Sequence, residues 1–311
     1  MTRRLIVTGV DGFVGRHLAR TAARAGVEVF GISRSRTADP VLSEHLAGYV
    51  SADLRELWPT GLPADAAVVH LAGLAAVGPS FDRPQDYITA NSAMVTNMCE
   101  ALIARGHEGR VVGVSTGAVY AQAGDDPARS EGDAVAFSSP YVVSKVLVEN
   151  QLSYYRGRGL QTVTARPFNH VGPGQGPGFI VPDLLAQLRT LPPGEPLHVG
   201  NLLTRRDYTD VRDVARAYLE LAFAETLAHD LYNVASGAAR SGEEVLAELC
   251  KAAGLPLPRI EVDPARVRAT DPLVIIGNAS RLRTETEWAP QIPFDRTIAD
   301  AVESAGEAVR P

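Results

Sequence analysis

Thr8-Gly9-Val10-Asp11-Gly12-Phe13-Val14-Gly15 follows directly on the apolar run Leu5-Ile6-Val7. Glycine recurs at every third place where a short β-branched strand gives way to a helix with apolar residues at Val14, Leu18 and Ala22. Each glycine has a task there. Gly9 permits a tight turn, Gly12 lets the main chain approach a pyrophosphate, and Gly15 lets the helix pack close to the sheet. The free N–H groups at the helix start, those of Phe13 and Val14 among them, and the positive end of the helix dipole complete an anion site. Placed at the first strand of the chain, this spacing predicts a dinucleotide-binding unit rather than a structural turn.

Downstream, short β-branched runs alternate with helix-like segments. Strands are predicted at 5–8, 27–33, 67–71, 111–115 and 161–166, and helices at 12–25, 85–105 and 140–158. Such alternation predicts an α/β fold, a doubly wound parallel sheet of the Rossmann type with helices on both faces. Beyond Arg166 the texture becomes rich in proline and glycine as far as Gly200, with one short helix expected over 182–190. A helix over 211–224 and a strand over 230–234 return to the earlier pattern, and a helix over 242–253 opens a last small unit. The expected division is a coenzyme-binding domain of residues 1–166, to which 208–236 return. A smaller C-terminal α/β substrate-binding domain comprises 167–207 and 237–311.

Thirty Lys and Arg against 36 Asp and Glu leave the 311-residue chain at −6. That balance argues against broad binding to nucleic acid or to an anionic membrane, which takes a basic face. It leaves room for a local pocket that binds a phosphorylated small molecule. Two cysteines, Cys99 and Cys250, exclude a disulfide framework and fit a reducing compartment, the cytoplasm. No run reaches the roughly 18 apolar residues of a membrane span. The apolar run after Arg3 and Arg4 is too short for a signal segment. No metal is expected.

The end of the second strand decides the coenzyme. An NAD site usually places Asp or Glu there to accept from the ribose 2′-hydroxyl. Phe30-Gly31-Ile32-Ser33-Arg34-Ser35-Arg36 has no carboxylate, and arginine binds a 2′-phosphate with charge-assisted hydrogen bonds. The expected coenzyme is NADP(H), with Arg34 as the main ligand and Ser33 helping; the alternative is a solvated loop. Asp53, after a presumed third strand, is placed either to accept from the adenine amino group or to cap a helix.

Tyr141 and Lys145 stand four apart, on one helix face, with Pro140 acceptable in the first turn. A free tyrosine titrates near about 10, and a neighbouring ammonium favours the phenolate, which makes the hydroxyl a usable acid–base group. The strand at 111–115 ends in Ser115-Thr116, and strand C-terminal ends face the cleft of an open α/β sheet. A hydroxyl there is placed to bind a reacting carbonyl oxygen beside Tyr141.

Further stretches are His70-Leu71-Ala72-Gly73, Tyr120, Arg166-Pro-Phe-Asn169-His-Val-Gly-Pro173, Arg206-Asp-Tyr-Thr-Asp210-Val-Arg-Asp213, Tyr232-Asn-Val-Ala-Ser-Gly237 and Trp288-Ala-Pro290. In order, and over nearly the whole chain, this set resembles the extended short-chain dehydrogenase/reductase family in its nucleotide-sugar branch. Within that branch, residues 168–175 and 199–210 look most similar to the GDP-4-keto-6-deoxy-D-mannose reductases, and next to the GDP-mannose 4,6-dehydratases. The resemblance implies Thr116, Tyr141 and Lys145 as the catalytic set, with Lys145 also on the nicotinamide ribose. It adds Leu54, Leu71, Ala72, Gly73, Asn91 and Ser115 to the coenzyme contacts. It makes Asn169, Val181, Asn201, Arg206 and Arg281 substrate contacts, with an ion pair to Asp207 or Asp210 as the alternative for Arg206. His170, alone in its loop, reads as a packing residue. A homodimer is implied through the helices at 85–105 and 140–158. Met94, Met98, Tyr154 and Tyr155 are either its apolar contacts or simply cover for the sheet.

Absences narrow the reaction. The resembling 4,6-dehydratases carry an acid one or two residues after the catalytic threonine; here those places are Gly117 and Ala118. The epimerase-reductases of the branch place a cysteine at Ala118 and a histidine at Gly174. Direct 4-epimerases hold NAD, whose second-strand carboxylate is missing. The resemblance therefore implies plain NADPH-dependent reduction of an NDP-4-keto-6-deoxyhexose, GDP-linked in preference. The alternative is a 4-epimerase or atypical dehydratase that recycles its coenzyme. A non-catalytic NADP sensor is disfavoured because Thr116, Tyr141 and Lys145 are all retained.

Overall fold

The Leu5-Ile6-Val7 run becomes the central strand of the protein. The computed structural model describes residues 2–121, 128–267 and 273–307. In chain order the elements are β1 (Arg4–Thr8), α1 (Phe13–Arg24), β2 (Glu28–Ser33), α2 (Pro40–Ser43), β3 (Gly48–Ser51), β4 (Ala67–His70), α3 (Val77–Asp82), α4 (Pro84–Ala104) and β5 (Val111–Val114). There follow β6 (Ala128–Arg129), α5 (Pro140–Gly157), β7 (Thr162–Pro167), β8 (Asn169–Val171), α6 (Ile180–Thr190), β9 (Leu197–Val199), β10 (Arg205–Asp210), α7 (Val211–Phe223) and β11 (Leu231–Val234). The last are β12 (Ala239–Ser241), α8 (Gly242–Ala253), β13 (Ile260–Val262), β14 (Val274–Gly277), α9 (Ser280–Thr286) and α10 (Phe294–Glu307).

Seven strands form one sheet in the order β11-β7-β5-β4-β1-β2-β3. Every pairing in it is parallel. The winding reverses at β1, with β2 and β3 to one side and β4 and β5 to the other. Such a reversal opens a crevice at the C-terminal strand ends, here where β1 leads into 9–12 and β4 into 71–74. Helices cover both faces, so the inner strands β1, β4 and β5 read as near-continuous apolar runs rather than alternating ones. Leu5 and Val7 pack with Leu18, Ala22, Val214 and Tyr218 of α1 and α7. Ile6 points the other way, among Met94, Val95 and Met98 of α4 and Val148 and Leu152 of α5.

Ser139 sets the phase of α5. Its hydroxyl accepts from the Val142 N–H at 3.2 Å, and Pro140 occupies the first turn. Tyr141, Ser144, Lys145 and Val148 are thereby buried.

A second sheet runs β12-β10-β14-β6, with β8 added on β10. The chain passes from β7 into β8 within two residues, so this sheet is attached at the C-terminal ends of the large one. Its core is separate and gathers Val181, Leu184 and Leu188 of α6, Val245 and Leu249 of α8, and Phe294 and Ile298 of α10. Of the second expected domain, residues 268–272 and 308–311 lie outside the described residues.

Burial chooses between the two readings of four side chains: Met94 and Met98 of α4 and Tyr155 of α5 are buried and cover the sheet, and Tyr154 alone of the four is exposed. Among the described residues no helix is long and apolar enough to cross a membrane, and no group of three metal-ligating side chains occurs.

Candidate active site

Gly9 takes φ of +64°, and a β-carbon there would stand 3.0 Å from the Ala72 nitrogen. The loops after β1 and β4 touch only because residue 9 has no side chain. At Gly15 a β-carbon would lie 2.4 Å from the Gly9 carbonyl oxygen, so α1 sits directly on its own loop. Thr8 ties the two loops together. Its hydroxyl oxygen accepts from the Leu71 and Ala72 N–H groups at 3.1 and 3.0 Å. With both lone pairs used, it donates to Nδ1 of His70 at 2.9 Å. That direction assigns the Nε2–H tautomer to His70. Burial, with the Lys145 charge nearby, pushes this imidazole down to about 3, so it stays neutral.

These loops wall a cleft of about 280 Å³. Of the coenzyme candidates, Gly9, Gly12, Ser33, Arg34, Asp53, Leu54, Leu71, Ala72 and Gly73 line it. No side chain caps the start of α1, which leaves the first N–H groups, those of Phe13 and Val14, for an anion. Arg34 is exposed and makes no hydrogen bond or ion pair among the described residues, though its charge reaches Asp53. The Asp53 carboxylate is gripped by Nε of Arg55 at 2.9 and 3.0 Å and also by Nη2. Arg55 thereby holds it down to about 2. Asp53 also accepts from the Arg55 N–H at 3.0 Å; it closes a turn, and the helix that it was expected to cap is absent. Asp11 and Arg55 line the cleft as well, and the sequence reading passed over both.

The far lip of the cleft leads to the catalytic candidates. Asn91 accepts from the Leu74 N–H at 2.8 Å and donates to the Ser144 hydroxyl at 2.9 Å, joining the lip to α5. A β-carbon at Gly73 would lie 3.2 Å from Oδ1 of Asn91 and 3.7 Å from Nζ of Lys145. Lys145 donates to the Val114 carbonyl at 2.9 Å, and burial pulls its ammonium down to about 8. Its Nζ lies 6.0 Å from the centre of the Tyr141 ring. Burial pushes the Tyr141 phenol up to about 12, against a hydrogen bond from Thr116. Thr116 accepts from the Ala118 N–H at 3.2 Å, which leaves its own proton for the phenol.

The expectation that Lys145 pulls the Tyr141 phenol down is therefore corrected. Desolvation prevails over an ammonium at that distance and shifts both groups toward their neutral forms. A phenol that keeps its proton at neutral pH is suited to giving it away to a developing alkoxide.

The Ser115 hydroxyl donates to Glu149 at 2.5 Å, and Glu149 chelates Arg166 at 2.8 and 2.7 Å. Arg166 lies over the Tyr120 ring at 4.8 Å. The Ser115 proton is thus committed to this network, which leaves the hydroxyl oxygen as an acceptor. The substrate candidates are more dispersed. Asn169 is exposed on β8 and Arg206 half-buried on β10, two strands joined in register at Asn169 and Tyr208. Asn201 closes a turn on the Leu203 N–H at 2.9 Å, and Arg281 stands 3.5 Å from Glu131. Val181 is buried in the core of the second sheet's unit and also lines a second cavity, of about 300 Å³, with Gly172, Gln175 and Leu185.

The family described as NAD dependent epimerase/dehydratase matches residues 5–235. The chain belongs to this family. Over 303 residues it is 33% identical to the GDP-6-deoxy-D-mannose reductase of Pseudomonas aeruginosa, covering 96% of this chain and 95% of that one. The structure of RMD from Pseudomonas aeruginosa complexed with NADPH matches at a TM-score of 0.82 and 31% identity, over 99% of this chain and 100% of the other. The UDP-glucose 4-epimerase of Thermus thermophilus in complex with NAD matches at 0.82 and 28%, over 98% and 100%. The resemblance to the extended short-chain dehydrogenase/reductases of the nucleotide-sugar branch is borne out, with reductases and epimerases both among the relatives.

In this epimerase/dehydratase family member, packing fixes the wall that follows Thr116. A β-carbon at Gly117 would come within 2.8 Å of the Phe168 ring, and one at Gly277 within 2.6 Å of the same ring. Phe168 is clamped between two glycines, and a side chain at residue 117 would force its ring to move. Ala118 is exposed. Gly117→Ala is expected to lower stability by about 1–3 kcal/mol through overpacking. Ala118→Ser should stay within about 0.5 kcal/mol. Urea unfolding of the two variants checks the contrast.

Proposed function

We propose that the protein reduces the keto group of an NDP-4-keto-6-deoxyhexose with NADPH, the GDP-linked sugar being favoured, in deoxysugar biosynthesis. The observation that carries the choice of reduction over dehydration is the wall beside Thr116. Residue 117 has no side chain and is packed against the Phe168 ring, and residue 118 offers only a methyl group. Nothing there holds a proton for moving a ring hydrogen. Reduction needs no such group; it needs a hydride, a proton donor and stabilisation of an alkoxide. The 33% identity to a GDP-6-deoxy-D-mannose reductase supports the same reading.

The cleft has the features a dinucleotide requires. The uncapped start of α1 and the close approach of Gly9 to Ala72 would take the pyrophosphate. Ser33 and Arg34 would take the 2′-phosphate, Asp53 and Leu54 the adenosine, Leu71 to Gly73 the linking ribose, and Lys145 the nicotinamide ribose, with Asn91 fixing the lip. Bound there, the coenzyme supplies the hydride. Tyr141 donates its proton to the oxygen of the reduced carbon, while Thr116 and Lys145 stabilise negative charge on that oxygen. Asn169 and Arg206 would bind the pyrophosphate of the sugar nucleotide, with Asn201 and Arg281 as further candidates. In this reading residues 167–207 and 237–311 form the substrate-binding unit, facing a coenzyme-binding unit of 1–166 and 208–236. A homodimer through α4 and α5 with Tyr154 at its surface, and a cytoplasmic setting, complete it.

Incubated with NADPH and GDP-4-keto-6-deoxymannose, the protein is expected to oxidise one coenzyme for each product formed. Product without net loss of reduced-nicotinamide absorbance would instead identify an epimerase or dehydratase that recycles its coenzyme.

A further inference from the structure

Asp11 sits in the middle of the glycine loop, yet its side chain serves the end of the neighbouring strand. Its Oδ2 accepts from the Ser35 hydroxyl at 2.6 Å, and the Ser33 hydroxyl reaches it as well. Ser35 is itself held in place, because the Tyr49 hydroxyl donates to its carbonyl at 2.7 Å. On the loop side, Nε of Arg16 donates to the Asp11 carbonyl at 2.8 Å. Partial burial raises the Asp11 carboxyl, but the two serine hydrogen bonds, one from the residue's own main chain and the Arg16 charge together outweigh it, so the group is charged at neutral pH. This carboxylate lines the same cleft as Ser33 and Arg34.

A carboxylate at the end of the second strand of a dinucleotide fold accepts from the ribose 2′-hydroxyl. Here the second strand has none, and the loop after the first strand delivers one to the same place. The other charges of that wall are already committed to partners. Asp53 and Arg55 neutralise each other, and the Arg16 guanidinium is ion-paired with Asp39. Two groups of opposite sign, Arg34 and Asp11, are left to read the 2′ position. A 2′-phosphate is attracted by the first and repelled by the second; a 2′-hydroxyl donates to the second.

We propose that Asp11 is a specificity-determining residue. It accepts the 2′-hydroxyl of the unphosphorylated coenzyme, so the protein takes NADH alongside NADPH, and it holds back the preference that Arg34 confers. The inference rests on the cleft being the coenzyme site, and its test separates it from the NADPH reading. NADPH and NADH are titrated by fluorescence into the wild type, Asp11→Asn and Arg34→Ala. Asparagine keeps the size of Asp11 and an acceptor for Ser35 but not the charge. Asp11→Asn is expected to tighten NADPH by about five- to tenfold and to weaken NADH by a similar factor. Arg34→Ala is expected to weaken NADPH about tenfold and to leave NADH within about twofold. An unchanged NADPH-to-NADH ratio in Asp11→Asn overturns the role of Asp11, whether both affinities hold or both fall together. Arg34→Ala with full NADPH affinity overturns the NADPH reading instead. Wild type that binds neither coenzyme overturns both.

Discussion

Tyr141→Phe is expected to lower kcat for reduction by about 10³-fold while leaving NADPH affinity within about twofold. The ring keeps its place in the variant, since Tyr87 meets it edge-on at 6.4 Å and the side chain is buried. What disappears is one hydroxyl whose partner is Thr116. Loss of a single buried hydroxyl costs little stability when the remaining partner can turn to another acceptor, so thermal unfolding should barely move. Thr116 cannot replace the lost donor, because an alcohol gives up its proton far less readily than a phenol. The decisive measurement is single-turnover oxidation of bound NADPH, which isolates chemistry from binding. A variant that turns over within tenfold of wild type would remove Tyr141 from the role of acid.

The large sheet was legible because its physics is local and repeated. The inner strands β1, β4 and β5 are mostly apolar, and every expected element from 5 to 253 lies within two residues of an observed one. The second sheet was not legible. Its strands β6, β8, β12 and β14, like the separate pair β9 and β13, have two to four residues each, too few to show a period. β10 reads Arg-Arg-Asp-Tyr-Thr-Asp; its polar groups are satisfied by partners distant in sequence, such as Ser236 and Gly277 for Asp207 and Thr297 for Asp210. In the site, Gly9, Arg34, Tyr141 and Lys145 announce themselves by motif. Asp11 does not, because its contact with Ser35 spans 24 residues and no spacing rule links a loop residue to the next strand's end. Nor does any spacing rule announce the bond from the Ser115 hydroxyl to Glu149, 34 residues on. The direction of the Tyr141 shift also escaped, since burial depth is a property of the whole fold and not of the four-residue interval to Lys145.

Burial depth also decides what Lys145→Met should do. The ammonium is held at about 8 in the folded protein, against about 10.5 in an unfolded chain. Between those values the unfolded chain binds the extra proton. Below about pH 8 folding therefore carries the full cost of burying that charge, about 3 kcal/mol at roughly 1.4 per pH unit. The cost fades as pH rises from about 8 to above 10.5. Methionine has a similar length and no charge, and forgoes only the hydrogen bond to Val114, worth about 1 kcal/mol. Lys145→Met should thus be as stable as wild type at pH 7, or more so, and should lose the wild type's gain in stability across the alkaline range. Activity should fall by about 10²–10³-fold, the usual consequence of removing one group that stabilises an oxyanion. In wild type, kcat/KM should decline as pH rises through about 8, where Lys145 discharges. Tyr141, held near 12, keeps its proton throughout and contributes no limb in that range. A variant with no alkaline limb, little activity and an undiminished melting temperature is the expected combination. An alkaline limb that survives in Lys145→Met would assign the titration to another group, and a large drop in melting temperature would show that the buried amine is a structural support rather than a strained catalytic one.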